Sequence, residues 1–341
     1  RVRAKSILGA AALNFTASAG DHAAHYEATM SVRPPAPAMT SLVSGHAEKG
    51  ATIVRQMRSL YPEFAAIEAS ASSLPLSLIP GLARYLQDFP YGCTEQILSK
   101  AMPAVVLYGQ KDLGGDSKMV EDNVLHVMSR LRELQNHRGG FGTWHRGGGQ
   151  ADDFVSLYAL HYMTLAKEKR LPVPDDTFRA AQDYAKTLVN RSPSSLQQAR
   201  HMAYGVYLLT RNGEVTANYL PNLLRYLDGA QKNAWKNDLA AVYIAAAYRL
   251  MQLVPEGNAL LDEFALGDPV VWDNNPHYWG DDEAFYNNLN RYAQYLSIVA
   301  AHFPERLPQL DRNILFRIAG FIGEGSYNTL SSSYALMAFS D

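Results

Sequence analysis

The stretch Ala240-Ala241-Val242-Tyr243-Ile244-Ala245-Ala246-Ala247 carries an apolar or small side chain at every position. A helix of this composition has no polar face to offer to solvent, and it is therefore buried on all sides. Stretches of the same character recur along the chain, at Val155–Tyr162, Met202–Leu209, Tyr292–Ala301 and Ser331–Phe339. The sequence therefore predicts a set of buried helices.

These buried helices alternate with amphipathic ones. From residue 76 onwards, apolar residues recur with the i, i+3, i+4 spacing that is typical of helices. Segments such as Asp176–Asn190 and Pro308–Phe321 carry a clear charged face. We predict about twelve helices, near residues 76–88, 94–109, 120–136, 151–167, 175–190, 196–211, 216–228, 234–254, 257–265, 283–303, 308–321 and 328–340.

The alternation predicts an architecture. About six inner helices ringed by about six outer ones would form an α/α toroid, so the chain is predicted to be mainly α. An irregular helical bundle or a solenoid of helical hairpins is the alternative.

The residues before about 75 have a different pattern. Short alternating stretches such as Ala12–Thr16 and His25–Val32 are interrupted by Gly20-Asp21 and by prolines between residues 34 and 37. This pattern is typical of β-strands, and Phe64–Ser70 is predicted as a further strand. We therefore expect a short β-rich segment, made of parts of two β-domains with a linker at residues 33–40, in front of the toroid.

Composition excludes some classes of function. The 341 residues are 47 % hydrophobic and 19 % charged, with a formal net charge of −2, which gives no indication of nucleic acid or an anionic membrane as a partner. No apolar run approaches the roughly 20 residues that span a bilayer. The single cysteine, Cys93, rules out an internal disulfide and leaves the redox compartment open. Because the chain starts without Met and ends at Asp341 inside an apolar pattern, we expect it to be a piece of a longer protein.

The cysteine lies in the hexapeptide Tyr91-Gly92-Cys93-Thr94-Glu95-Gln96, at the predicted start of the first inner helix. Residues i and i+3 share one face of a helix, so the Cys93 sulfur and the side-chain carbonyl carbon of Gln96 could touch. Attack of the thiolate on that amide, with loss of ammonia, would leave an internal thioester. A helix N-terminus favours anions, so we expect the pKa of Cys93 to be lowered there.

The toroid would also determine what surrounds this motif. All inner helices point the same way, so the loops that lead into them gather at one end, together with Cys93. Two of these loops, residues 137–150 and 272–280, are rich in aromatic residues, histidine and glycine. We predict that Tyr91, Trp144 and Trp279 shield the acyl bond from water. The histidines of the same loops, His137, His145 and His277, are candidates for a base or an acyl relay.

Other functions of α/α toroids fit less well. A terpene cyclase would need an Asp-x-Asp-Asp cluster, which Asp152-Asp153 and Asp281-Asp282 do not match. A zinc-dependent prenyltransferase would need ligands beside Cys93, and no clear set exists, so no metal or other cofactor is predicted. A cysteine hydrolase, which would pair Cys93 with a histidine, stays open, as does a structural module with a free thiol. Glu95 is expected to be a solvated or structural carboxylate at the helix start rather than an acid catalyst.

The segment Gly92–Gln96 resembles the Gly-Cys-x-Glu-Gln motif of the thioester-containing α2-macroglobulin and complement superfamily. The preceding Pro90-Tyr91 and the threonine at the x position look like the bacterial α2-macroglobulin branch, and Gly139-Gly140-Phe141 with Trp144 is similar to the second helical pair of its thioester domains. The resemblance implies three domains. Residues 1–38 would end a macroglobulin-type β-domain, residues 39–75 would be the first half of a CUB-like β-domain, and residues 76–341 would be the thioester domain.

The resemblance also implies a function. Members of this family look like protease inhibitors, in which cleavage of a bait region exposes the thioester and the thioester acylates an amine or hydroxyl of the attacking protease. Such a protein is a single-turnover trap and not an enzyme. Bacterial members resemble periplasmic lipoproteins anchored to the inner membrane, with a role in bacterial defence beside a peptidoglycan synthase of the penicillin-binding type. Complement-like members use a histidine relay, but the corresponding place in this sequence lies near Lys186, so direct aminolysis is the expected route.

Overall fold

The computed structural model describes residues 8–33, 40–44, 65–72, 75–110, 116–144, 151–232, 234–266, 285–311 and 313–340. The chain divides into two compact units, residues 1–39 and residues 40–341. The division into a macroglobulin-type domain, half of a CUB-like domain and a thioester domain stays a prediction.

The first unit contains a β-hairpin. Strands β1 (Gly9–Ala19) and β2 (His22–Val32) pair antiparallel around a turn at Gly20-Asp21. Gly20 has φ +59°, a conformation that glycine adopts without the cost that a side chain would add. The hairpin confirms the strands predicted at residues 12–16 and 25–32. The predicted strand at 64–70 is wrong for the described residues 65–70, which are exposed and pair with no strand in the part of the chain that the structure describes.

The second unit is helical. Its α-helices in the described ranges are α1 (Leu78–Asp88), α2 (Thr94–Val106), α3 (Ser117–Leu134), α4 (Asp153–Glu168), α5 (Asp175–Val189), α6 (Leu196–Arg211), α7 (Leu220–Ala230), α8 (Leu239–Leu250), α9 (Val254–Glu263), α10 (Asn288–His302), α11 (Asn313–Gly323) and α12 (Thr329–Ser340). They match the twelve predicted segments, with ends that differ by a few residues. None of the helices in the described ranges is long and apolar enough to span a membrane.

The even-numbered helices form a closed ring. Helix α2 packs against α4, α4 against α6, α6 against α8, α8 against α10, α10 against α12, and α12 against α2. The odd-numbered helices lie outside, each packed on one or two members of the ring. The prediction of an α/α toroid with six inner and six outer helices is therefore confirmed for the described part of the chain.

The burial pattern explains why the helices separate in this way. Every residue from Leu239 to Ala247 on α8 is buried, as is every residue from Thr329 to Ala338 on α12. The outer helix α5 is buried on one face, which includes Phe178 and Leu188, and carries charged residues on the other. Helices without a polar face pack inside the ring, and amphipathic helices cover it.

Tyrosines fill the interior of the ring. Tyr158, Tyr204 and Tyr334 are almost fully buried, and their hydroxyl groups are hydrogen-bonded. The Tyr158 hydroxyl lies 2.6 Å from Ser333 Oγ, and the Tyr204 hydroxyl lies 2.7 Å from Nδ1 of His161. The centre of the toroid is thus a packed core of aromatic rings and hydroxyl groups.

The segment 40–44 lies on the outside of the ring. Thr40 Oγ1 donates a hydrogen bond to Asp88 at the end of α1 (2.7 Å). The backbone N–H of Leu42 donates to the hydroxyl of Tyr327 (3.0 Å), and Ser44 Oγ donates to the carbonyl of Ala319 on α11 (3.1 Å). These contacts attach residues 40–44 of the predicted CUB-like segment to the helical ring.

Candidate functional site

Cys93 and Gln96 face each other across the first turn of α2. Cys93 is the N-cap residue, with extended backbone angles (φ −68°, ψ 169°). Its side chain accepts a hydrogen bond from the backbone N–H of Gln96, and Gln96 Oε1 accepts one from the backbone N–H of Cys93 (3.0 Å). This is a capping box, a motif that Ser or Thr usually forms with Glu or Gln. Here the two side chains that form it are a thiol and a primary amide.

Both side chains are shielded from solvent. Cys93 is 7 % exposed and Gln96 is 5 % exposed. Burial raises the pKa of the Cys93 thiol, the hydrogen bond from Gln96 opposes this, and the negative charge of Glu95 raises the pKa further. The expectation that the helix N-terminus lowers this pKa is wrong, because burial outweighs the favourable helix end. The free thiol is therefore protonated at neutral pH.

The loop that leads into α4 holds the residue after the cysteine. Thr94 Oγ1 donates hydrogen bonds to the carbonyl oxygens of Gly142 (2.5 Å) and Thr143 (3.1 Å), and the Thr94 backbone N–H also donates to Thr143 (2.9 Å). One of the unpaired N–H groups of the helix start is satisfied in this way. The contact confirms that the described part of the loop at 137–150 lies beside the start of α2. We call this end of the ring, where loops lead into the inner helices, the mouth.

Two glycines allow this loop its path. Gly139 has φ +86°, and a Cβ placed on it would lie 1.9 Å from the carbonyl oxygen of Ala180 on α5. A Cβ on Gly140 would lie 2.6 Å from both the Ala151 side chain and the Tyr184 ring. The next residue, Phe141, is fully buried. The Gly-Gly-Phe sequence therefore permits close packing of the loop against α5.

Glu95 points away from solvent, between the first and last inner helices. Its carboxylate accepts a hydrogen bond from Ser99 Oγ (2.6 Å) on its own helix. Thr329 Oγ1 on α12 lies 3.0 Å from each carboxylate oxygen. Burial raises the pKa of Glu95, and these hydroxyl groups counteract the rise. Glu95 is thus a structural carboxylate, as one of the two expectations had it, and it is not solvated.

The predicted shielding residues lie at the surface where they are described. Tyr91 is 59 % exposed and packs edge-on against the ring of Phe89, with 5.7 Å between centroids. Trp144 is 57 % exposed, and Gly92 is exposed as well. Trp279 lies outside the described residues. Shielding of the acyl bond by these aromatic side chains stays a prediction.

The histidines predicted as a relay are not seen to contact Cys93 in the described part of the chain. His137 is exposed, and His145 and His277 lie outside the described residues, so their role as a relay stays a prediction. None of the hydrogen bonds among the described residues joins Cys93 to a histidine. Lys186 forms ion pairs with Glu214 (2.9 Å) and Asp183 (3.4 Å).

The structure adds two groups that the sequence reasoning did not select. Thr329 is the first residue of α12, and its position at the start of an inner helix was the available signal. His201, in the second turn of α6, lines a small pocket with Phe154 and Tyr286. Burial, followed by the charge of Arg200, lowers the pKa of His201 to about 4, so this imidazole is neutral at pH 7. Within the described ranges, no group of three or more His, Cys, Asp or Glu side chains is placed to hold a metal ion.

Known proteins resemble the chain over most of its length. It is 39 % identical over 321 residues to an α2-macroglobulin of Rickettsia conorii, covering 93 % of this chain and 16 % of that protein. It is 32 % identical over 342 residues to an α2-macroglobulin homologue of Yersinia pestis, covering 99 % of this chain and 17 % of the homologue. The chain thus spans about a sixth of the length of these relatives. No protein-family model matches it.

Solved structures share the fold. The crystal structure of native Escherichia coli α2-macroglobulin from domain MG7 to the C-terminus superposes with a TM-score of 0.67 at 19 % identity, covering 99 % of this chain and 55 % of that one. Salmonella α2-macroglobulin reacted with methylamine gives a TM-score of 0.62 at 19 % identity, covering 99 % and 23 %. Escherichia coli α2-macroglobulin activated by porcine elastase gives 0.58 at 19 % identity, covering 74 % and 23 %. These likenesses show the fold.

Proposed function

Because the chain belongs to the bacterial α2-macroglobulin family, we propose that its helical ring is a thioester domain in which Cys93 and Gln96 form an internal thioester. The observation that carries the proposal is the reciprocal capping box, in which each of these two buried side chains accepts a hydrogen bond from the backbone N–H of the other residue. The sulfur attacks the carbonyl carbon of the Gln96 amide, and the bond from that carbon to nitrogen breaks. The nitrogen leaves as ammonia with the proton of the thiol, so the step needs no oxidant.

The thioester is then an acylating group that reacts once. An amine attacks the Gln96 carbonyl carbon, the carbon–sulfur bond breaks, and an amide to the incoming nucleophile forms while Cys93 regains its thiol. A hydroxyl group would give an ester by the same route. The attacker stays covalently bonded to the Gln96 carbonyl, so each protein molecule reacts once. The function is therefore covalent inhibition rather than turnover.

The reactions of two related proteins favour a protease as the source of the nucleophile. The Salmonella protein has been reacted with methylamine, and the Escherichia coli protein has been activated by elastase. We therefore propose attacking proteases as the partners, captured through a lysine amine or a hydroxyl group. This chain spans about a sixth of the length of these relatives, and we propose capture as an activity of the whole protein.

The cellular setting is part of the same proposal. On the family resemblance alone, the full-length protein lies in the periplasm, held to the inner membrane by a lipid, and acts beside a penicillin-binding peptidoglycan synthase. Cell fractionation with an antibody to this chain tests the placement. Recovery of the protein in the cytoplasmic fraction would contradict it.

Mass and thiol measurements on the folded chain test the chemistry. We expect the wild-type chain to be lighter than its formula by one ammonia and to show no titratable thiol. Methylamine should add one equivalent and release one thiol. Cys93→Ser, which keeps a good N-cap, and Gln96→Glu, which has no amide nitrogen to lose, should both have their formula masses.

The opposite result is equally clear. A freshly prepared, folded wild-type chain with its formula mass and one full thiol would overturn the proposal. Catalytic release of an acyl product over many turnovers would instead favour a cysteine hydrolase. Unchanged mass and thiol content after methylamine, without turnover, would favour a structural module.

A further inference from the structure

We propose that Glu95 and Thr329 form a clasp that positions the Cys93–Gln96 turn, by tying the start of the first inner helix to the start of the last one. The inference rests on the proposed thioester, since it assigns a positioning role at the same site. Glu95 lies between Cys93 and Gln96 in sequence, and its carboxylate is hydrogen-bonded to Ser99 on its own helix and to Thr329 on α12.

The geometry of the clasp is specific. Thr329 Oγ1 lies 3.0 Å from each oxygen of the Glu95 carboxylate, and both residues are 5 % exposed. The two residues are separated by 234 positions in the sequence. The contact therefore joins α2 to α12 at the mouth, where the last inner helix meets the first and closes the ring.

The choice of a carboxylate at this place calls for an explanation. Burying a charge is costly unless hydrogen bonds or an opposite charge compensate for it. No lysine or arginine of the described residues forms an ion pair with Glu95, so the hydroxyl groups of Thr329 and Ser99 are its partners. Hydrogen bonds to a charged group are roughly twice as strong as neutral ones. In its ionised form the carboxylate therefore holds α12 more firmly than a neutral side chain would.

The charge of Glu95 also acts on its surroundings. The charge raises the pKa of four titratable groups around it, which are Cys93 at the N-cap of its own helix, Tyr85 on α1, Tyr158 on α4 and Tyr334 on α12. Removing the charge while keeping the shape should therefore lower the pKa of the Cys93 thiol. A contact through a neutral carboxyl group would not have this effect.

Three variants of the folded chain separate the tie to α12 from the effect of the Glu95 charge on the pKa of Cys93. Thr329→Val removes the hydroxyl and keeps the shape, and Thr329→Ser keeps the hydroxyl as the matched control. Glu95→Gln removes the charge. We would measure the fraction of each variant that has lost ammonia and, after methylamine treatment, the pH midpoint for alkylation of Cys93. Circular dichroism confirms that each variant is folded.

We expect Thr329→Val to reduce the fraction that loses ammonia and Thr329→Ser to restore it. Glu95→Gln should move the alkylation midpoint to lower pH. The clasp is overturned if Thr329→Val loses ammonia as fully as the wild type, or if Glu95→Gln leaves the midpoint unchanged. The alkylation profile needs only a free thiol, so it tests the clasp even if the wild-type chain never forms a thioester.

If Thr329→Val does not fold, Ser99→Ala provides the second test. It removes the other hydrogen bond to the carboxylate without touching α12. We expect Ser99→Ala to keep nearly the wild-type fraction that loses ammonia, because the tie to α12 remains. A large reduction in that fraction would overturn the tie to α12 as the contact that positions the turn.

Discussion

Replacing Gly139 with alanine tests whether the loop beside Cys93 depends on its close approach to α5. Gly139 has φ +86°, and in this left-handed region a residue other than glycine costs about 1–2 kcal/mol. The added Cβ would also lie 1.9 Å from the Ala180 carbonyl oxygen, far inside van der Waals contact. Overpacking of this kind costs about 1–3 kcal/mol. We therefore expect Gly139→Ala to lower the free energy of unfolding by about 2–5 kcal/mol.

The chain offers a matched control in Gly213. Its φ is +80°, but a Cβ there would meet nothing within 4 Å. Gly213→Ala should therefore cost only the conformational contribution of about 1–2 kcal/mol. The difference between the two variants isolates the steric contribution.

Urea unfolding, followed by far-ultraviolet circular dichroism, measures this difference. The helical signal reports on the ring, because the hairpin contributes no helix. Equal m-values would show that the change lies in stability and not in the extent of unfolding. The same samples should show less loss of ammonia in Gly139→Ala than in Gly213→Ala, since the loop of Gly139 holds Thr94. Equal losses of stability in the two variants would refute the steric argument.

Three further predictions concern charge and pH. Arg200 donates three hydrogen bonds of 2.6–3.0 Å to Asp238, and Asp238→Asn would leave this buried cation without its negative charge. We expect the free energy of unfolding, measured in urea, to fall by about 3–5 kcal/mol. Arg132→Ala, which breaks an exposed ion pair, should lower it by only about 0–1 kcal/mol. Burial, followed by the charges of nearby arginines, lowers the pKa of His302 to about 3, so on acidification the imidazole takes up a proton in the unfolded chain before it does so in the folded one. The free energy of unfolding should therefore fall as the pH drops from about 6.5 towards 3. His302→Gln should weaken this pH dependence in urea midpoints measured from about pH 7 to about pH 4. After methylamine, the Cys93 thiol of the folded chain should be alkylated with a higher pH midpoint than in urea, and a lower midpoint in the folded chain would contradict the effect of burial.

The sequence predicts the ring well because its signals are local. The run Ala240–Ala247 has no polar face, so its composition alone predicts a helix that is buried on all sides. Because such runs alternate with amphipathic helices, few arrangements other than an inner and an outer layer can bury them. Helix ends are less well predicted. Helix α8 begins after Asp238, whose side chain accepts a hydrogen bond from the Ala240 N–H, whereas the predicted helix began at residue 234. Helix α7 begins at Leu220 because Pro221 lies in its first turn, a signal that the prediction of a start at residue 216 overlooked.

In the candidate site, too, local features were predicted from the sequence and features that depend on long-range packing were not. The approach of Cys93 to Gln96 follows from their spacing, because a capping box is local. The direction of the pKa shift was predicted wrongly, because the helix end is local whereas burial depends on how helices distant in sequence pack. The contact of Glu95 with Thr329 was not predicted for the same reason, since it joins the two ends of the ring.

Burial of Cys93 has opposite consequences before and after thioester formation. A raised thiol pKa reduces the thiolate available to attack Gln96, so the bond forms more slowly than at an exposed site. Once the bond exists, the same environment protects it, because a thiolate that is costly to bury is a poor leaving group and little water reaches the carbonyl. A rearrangement that hydrates Cys93 would lower the pKa of the departing thiol and admit nucleophiles in one step. On the proposed function, we therefore expect exposure of Cys93 to solvent to raise the reactivity of the thioester without any added catalytic group.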